Sequence, residues 1–179
     1  MTNLPVPAPR TFTVGETEVG AYLNSVRDCL NFLLNEPIAV LYQGAAQSIP
    51  NSAFTAVTFD QSLTDSYGAH SNTTNPSRMV AQVAGFYDLD GGFSLAASNT
   101  TGARDGQWYK NGSAISTPGA GVVVGGSASN TCTTPMPGLQ VFLGVGDYVE
   151  LFVFQNSGGA INTNVATFTS YVSIRWVHA

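Results

Sequence analysis

GlyAspTyrValGluLeuPheValPheGlnAsn, Gly146–Asn156, carries the clearest structural signal in the chain. An Asp-bearing turn leads into a strand whose odd positions, Val149, Leu151 and Val153, repeat with period two, the mark of a core-facing stripe. Its even positions, Tyr148, Phe152 and Phe154 around Glu150, are aromatic where a sheet open to water places polar side chains. A strand that is dry on both faces is either central in a sandwich or part of a subunit interface. That choice points to assembly rather than to catalysis.

The rest of the second half has the same texture. From Ile38 onward, short runs rich in Val, Phe, Tyr and Thr alternate with Gly, Asn, Ser and Pro turns, the pattern of an all-β sandwich. Expected strands are Ile38–Gln43, Ala53–Phe59, Arg78–Val83, Phe86–Ala97, Gln107–Lys110, Ala114–Ser116, Gly121–Gly125, Leu139–Val145, Tyr148–Gln155 and Thr169–His178. Lys110–Gly112 reads as a tight hairpin turn, because Asn-Gly accepts the positive φ values of a type I′ turn. Residues 62–77 and 156–166 read as loops.

Upstream, residues 1–15 form a Pro-rich arm in which Pro5, Pro7 and Pro9 favour extended chain. It is either a free tail or a strap that orders on a neighbour, and pre-stiffened chain loses less entropy on docking. Residues 16–36 hold an anchoring helix, best formed over 17–34, with Val19, Tyr22, Leu23, Val26, Cys29, Leu30 and Leu33 on one face. Val19, Tyr22, Val26, Cys29 and Leu33 also keep the 3-4 spacing of a coiled-coil seam. Such a helix either caps the β-domain or meets another chain. Residues 37–179 then make the sandwich head.

Composition narrows the function classes. Charged residues supply 9% of the chain, against roughly 25% in ordinary soluble domains, so much of the surface is expected to be buried against partners. The net charge is −5 with six basic residues that never cluster, which argues against nucleic acid. No apolar run reaches the length of a membrane span, and the first residues lack the build of a signal peptide. Cys29 and Cys132 fall in dissimilar contexts, so no disulfide is expected and an intracellular origin is inferred.

Chemistry is sparse. His70 and His178 are the only histidines, and neither lies near a nucleophile elbow, so both read as solvated side chains. No Cys/His set has zinc spacing. Asp88 and Asp90, two carboxylates on one strand face, are either a calcium site or a solvated bend. No cofactor is expected. The best interface residues are the aromatics: Tyr148, Phe152, Phe154 and Tyr171 are expected to face a trimer axis.

Five segments resemble the C1q/TNF-like jelly roll in order and spacing. They are Phe54–Asp60, Arg78–Tyr87, Gln107–Ser113, Gly144–Leu151 and Ser170–Val177, together spanning about residues 38–179. Phe86 stands where the family carries the first aromatic of its Gly-Tyr-Tyr signature, and no collagen-like stalk precedes the domain. Pro9–Asn35, with its Leu23-Asn24-Ser25-Val26-Arg27-Asp28 centre, is similar to the N-terminal segment of structural proteins of tailed phages that infect actinobacteria.

Together these resemblances imply a particle-surface virion protein, made in the host cytoplasm: a homotrimeric head held to a capsid or other virion protein by an N-terminal anchor. The anchor residues would be Pro5, Pro7, Arg10, Phe12, Val19, Tyr22, Leu23, Val26, Leu30 and Leu33. A capsid-decoration or head-spike role is the first expectation. The alternative is a minor tail or fibre protein whose loops, Ser62–Ser77, Asn99–Asp105, Gly125–Pro137 and Asn156–Asn164, recognise host-surface glycan. An envelope-polysaccharide hydrolase needs a carboxylate pair in a groove, and the acidic residues here sit mostly in turns.

Overall fold

The computed structural model describes residues 20–98, 102–127 and 129–179, the side chains of residues 21 and 22 excepted. The Pro-rich arm, with Pro5, Pro7, Arg10 and Phe12, and Val19 at the start of the expected helix lie outside that range, as does the side chain of Tyr22.

Helix α1 spans Gly20–Leu34. The Asn35 amide closes it onto the Asn31 and Phe32 carbonyls, both at 3.1 Å, and Pro37 cannot continue the helical ladder. The chain then enters two stacked antiparallel sheets. In the first, β4 (Gln61–Asp65), β1 (Ile38–Tyr42), β14 (Tyr171–His178) and β6 (Gly85–Leu95) run in that order. Beyond β6 lie β10 (Cys132–Pro135) and β11 (Leu139–Leu143), each paired with a different half of that long strand.

The second sheet centres on β12 (Tyr148–Gln155) and β7 (Gly102–Lys110). Short β3 (Thr55–Ala56) and β5 (Met79–Val80) flank β12, while β8 (Ser113–Ala114) and β9 (Gly121–Gly126) flank β7. A small pair, β2 (Ser48–Ile49) with β13 (Ile161–Asn162), closes one end.

The core lies between the two sheets. Leu41, Phe59, Phe93, Leu95, Trp108, Leu143, Val149, Leu151, Val153 and Val172 are fully buried there. Val149, Leu151 and Val153 therefore face inward as their period-two spacing requires. Asn111 and Gly112 take φ of 50° and 78°, which gives the expected primed turn between β7 and β8.

The architecture is the expected one: mainly β, a C1q/TNF-like jelly roll preceded by one helix. Four strands fall outside the expected set: β2, β4, β10 and β13. The sequence of β4, Gln-Ser-Leu-Thr-Asp, carries no inward apolar stripe, and only Asp65 of its residues is even half-buried. β7 also begins five residues earlier than expected, at Gly102, because Arg104 and Gly106 occupy inward positions that apolar alternation does not reveal.

Candidate functional site

The outer faces of the two sheets are where partners or ligands can act. On the second sheet, register with β7 places Tyr148, Glu150, Phe152 and Phe154 outward beside Tyr109, Gln107 and Asp105. These rings cover one another. Tyr109 stacks on Phe152 with centroids 3.9 Å apart, and Phe54 lies 5.2 Å from Phe154. The Arg78 guanidinium sits 4.0 Å over the Tyr148 ring.

Glu150, buried among them, accepts a 2.6 Å bond from the Ser77 hydroxyl and lies 3.6 Å from Arg78 Nε. A buried carboxylate requires such partners. The aromatic character of β12 on its second face is thus accounted for largely within one copy of the chain.

Tyr171 lies elsewhere. It belongs to β14 in the first sheet, opposite Tyr42 on one side and Gly92 on the other. Tyr148, Phe152 and Phe154 therefore share one outer face while Tyr171 stands on the opposite outer face of the sandwich. Period-two reasoning assigns a face within a strand but not the sheet to which that strand belongs, and for this reason the four could not be separated from sequence.

The first sheet's outer face carries Ile38, Val40 and Tyr42 of β1 beside Arg175, Ser173 and Tyr171 of β14. Phe86 of β6 packs edge-on against Phe142 of β11 at 5.4 Å and lies 4.8 Å from the His178 ring. Charge is limited to Asp88, Asp90 and Arg175, with Arg175 3.6 Å from Asp88. Gln140 Nε2 also donates to Asp88 at 3.1 Å, and Asp90 accepts from the Gly91 amide at 2.7 Å. Asp88 and Asp90 do share a face, but no set of three or more metal-ligating side chains gathers among the described residues.

The helix presents a third surface. Leu23, Val26, Leu30 and Leu33, all expected anchor residues, are 46% to 63% exposed, and Leu34 is more open still. What fastens the helix to the head is Phe32, a residue outside the expected stripe. It is buried edge-on against Trp176, and Tyr67 closes its other side at 6.3 Å. Helical periodicity marks the longest apolar stripe, not the residue that, among those described, the sandwich covers most.

The histidines differ from expectation in one respect. His70 is half-buried rather than solvated, with Nδ1 and Nε2 each 3.0 Å from a backbone carbonyl, those of Arg78 and Phe59. His178 is exposed, its Nδ1 2.9 Å from the Ala179 carbonyl. Neither ring is hydrogen-bonded to a side-chain hydroxyl, thiol or carboxylate among the described residues. Cys29 and Cys132 are not joined in a disulfide.

No protein-family model and no curated protein matches the sequence. Solved structures do match in shape. A crystal structure of murine APRIL at pH 5.0 is similar over 79% of this chain and 98% of its own, with a TM-score of 0.56 at 10% identity. A second murine APRIL structure, at pH 8.5, covers 78% of this chain and 99% of its own at 13% identity, with a TM-score of 0.51. A third, at pH 8.0, gives a TM-score of 0.52 at 12% identity over 79% of this chain and 98% of that one. At such low identity the likeness carries the fold and nothing further: the head is a TNF-like jelly roll.

Proposed function

We propose that the chain is a structural protein of a phage particle, a homotrimeric capsid decoration or head spike attached through its N-terminal arm and helix. The observation that carries the assembly half of this reading is the helix stripe of Leu23, Val26, Leu30 and Leu33, left open on a chain whose charge is too sparse to keep large apolar surfaces solvated. The helix runs directly into β1, which contributes Ile38, Val40 and Tyr42 to the least charged stretch of the first sheet's outer face.

Those two surfaces, rather than the self-covered aromatics of the second sheet, are the better places for copies to meet. A closed ring of three would shelter both. Leu63, a bulge residue in the edge strand β4, would be sheltered with them. The virion half rests on the likeness of Pro9–Asn35 to phage structural proteins. Three copies would multiply weak strap contacts through effective concentration.

Sedimentation of the full chain and of a deletion lacking residues 1–35 tests the two halves separately. The expected result is a trimer for the full chain and a folded head that no longer binds particles for the deletion. A monomeric full chain at micromolar concentration rejects the assembly half. Failure of the full chain to bind particles while it remains trimeric rejects the virion half. A particle reconstruction then separates decoration, at many copies on the capsid, from a tail position.

A further inference from the structure

On the second sheet's outer face, away from the surfaces assigned to assembly, a groove of about 370 Å³ opens between Phe54, β7 and the segment that leads into β9. Asp105 lines it. Facing Phe154 on one neighbouring strand and Val123 on the other, its carboxylate sits among apolar side chains. No hydrogen bond reaches it among the described residues; Oδ1 is shut away from water and from any ligand, which leaves Oδ2 as the oxygen the groove can offer. Burial alone raises its pKa above the usual carboxylate value.

The neighbouring Gln107 side chain, by contrast, has an internal task. Gln107, two positions along β7, donates through Nε2 to the Ile115 carbonyl at 2.7 Å, which leaves its Oε1 to the groove side. A half-buried carboxylate without partners lowers stability, and such a group in a cleft marks a candidate ligand site.

We propose that this groove is a saccharide-binding subsite in which Asp105 and Gln107 accept hydroxyl protons and the exposed ring of Phe54 covers an apolar face of the sugar. The volume lies at the small end of ligand pockets and suits one or two pyranose units. Thr117, which also lines the groove, offers a hydroxyl that both donates and accepts. Neutral hydroxyls supply donors to Asp105 Oδ2 without adding a second charge to be desolvated. The inference does not depend on the oligomeric state or on attachment to a particle.

The test is a titration of the full chain with methyl α-glucopyranoside, methyl α-galactopyranoside and N-acetylglucosamine at millimolar concentrations, followed by saturation-transfer NMR. n-Butylamine serves as a cationic comparison. At least one sugar is expected to bind, with a loss of about tenfold or more in Asp105→Ala and in Phe54→Ala. Because Asp105 makes no internal hydrogen bond, Asp105→Ala is expected to keep or raise the melting temperature, whereas a structural role would lower it. Absence of any sugar signal, unchanged affinity in Asp105→Ala, or binding of the amine in place of sugars each overturns the proposal.

Discussion

Phe32 stands edge-on to Trp176, ring centroids 4.9 Å apart and planes at 86°, and this pair joins the helix to the head. Replacing Phe32 by Ala removes the one buried side chain among the described residues of α1 while leaving the sandwich interior in place. A loss of about 3 kcal/mol of docking energy is expected. Hydrogen exchange across residues 20–34 should accelerate towards that of free chain, Trp fluorescence should shift to the red, and protection of β6 and β12 should persist.

The same corner explains a glycine. Gly85 has φ of +153°, and a Cβ there would come within 2.5 Å of the His178 carbonyl and would strike the Trp176 indole, whose Nε1 donates to the Ala84 carbonyl at 3.1 Å. Because one obstacle is backbone, it cannot swing aside. Gly85→Ala is expected to lower stability by about 3 kcal/mol, combining overpacking with the strained dihedral. Denaturant titration with an unchanged slope would confirm a local cause.

Gln155 is buried and fully satisfied. Its Nε2 donates to the Ile49 and Gly159 carbonyls at 3.1 and 2.8 Å, and its Oε1 accepts from the Ser157 amide and hydroxyl at 2.8 and 2.6 Å. Gln155→Leu preserves volume but strands these backbone groups, and a cost of about 3 kcal/mol is expected. Thermal melting of the variant would measure it, and protease cleavage within residues 156–160 should appear first, because the turn loses its tie to β2.

Asp147 contributes to the acid limb of stability. Hydrogen bonding from Asn111 Nδ2 at 2.8 Å is the main cause that holds its pKa at about 2, with the Lys110 ammonium at 2.9 Å and the Gly144 amide at 2.9 Å reinforcing it. Since the folded value is depressed below the ordinary 3.8, the stabilisation is complete above that value and disappears as pH falls through about 2. Asp147→Asn should be less stable than the parent at neutral pH, and the two unfolding curves should converge near the bottom of that window.

Much of the head was legible because its signals are local. The alternation Val149, Leu151, Val153 and the Asn111-Gly112 turn depend only on neighbours in the chain, and both stand as read. β4 escaped because an edge strand needs no apolar stripe: Ser62 and Thr64 pair with Leu41 and Val40 through backbone alone. The aromatic quartet failed to converge for a different reason. Tyr171 and Phe152 lie on strands with the same pattern, and sheet membership arises from long-range pairing that no window of sequence contains. Asp105 was placed within a loop, since a carboxylate in an apolar setting contradicts the ordinary sorting of residues by polarity.

Ile38 opens β1 directly opposite Arg175, near the close of β14. Both strands therefore meet the stem at one pole, and the bend at Asn164–Phe168 occupies the other. A reporter peptide grafted into that distal bend would be displayed outward on any support that grips the helix, whereas one fused beyond β14 would crowd the seat. The head is, in effect, a mount with a built-in up and down.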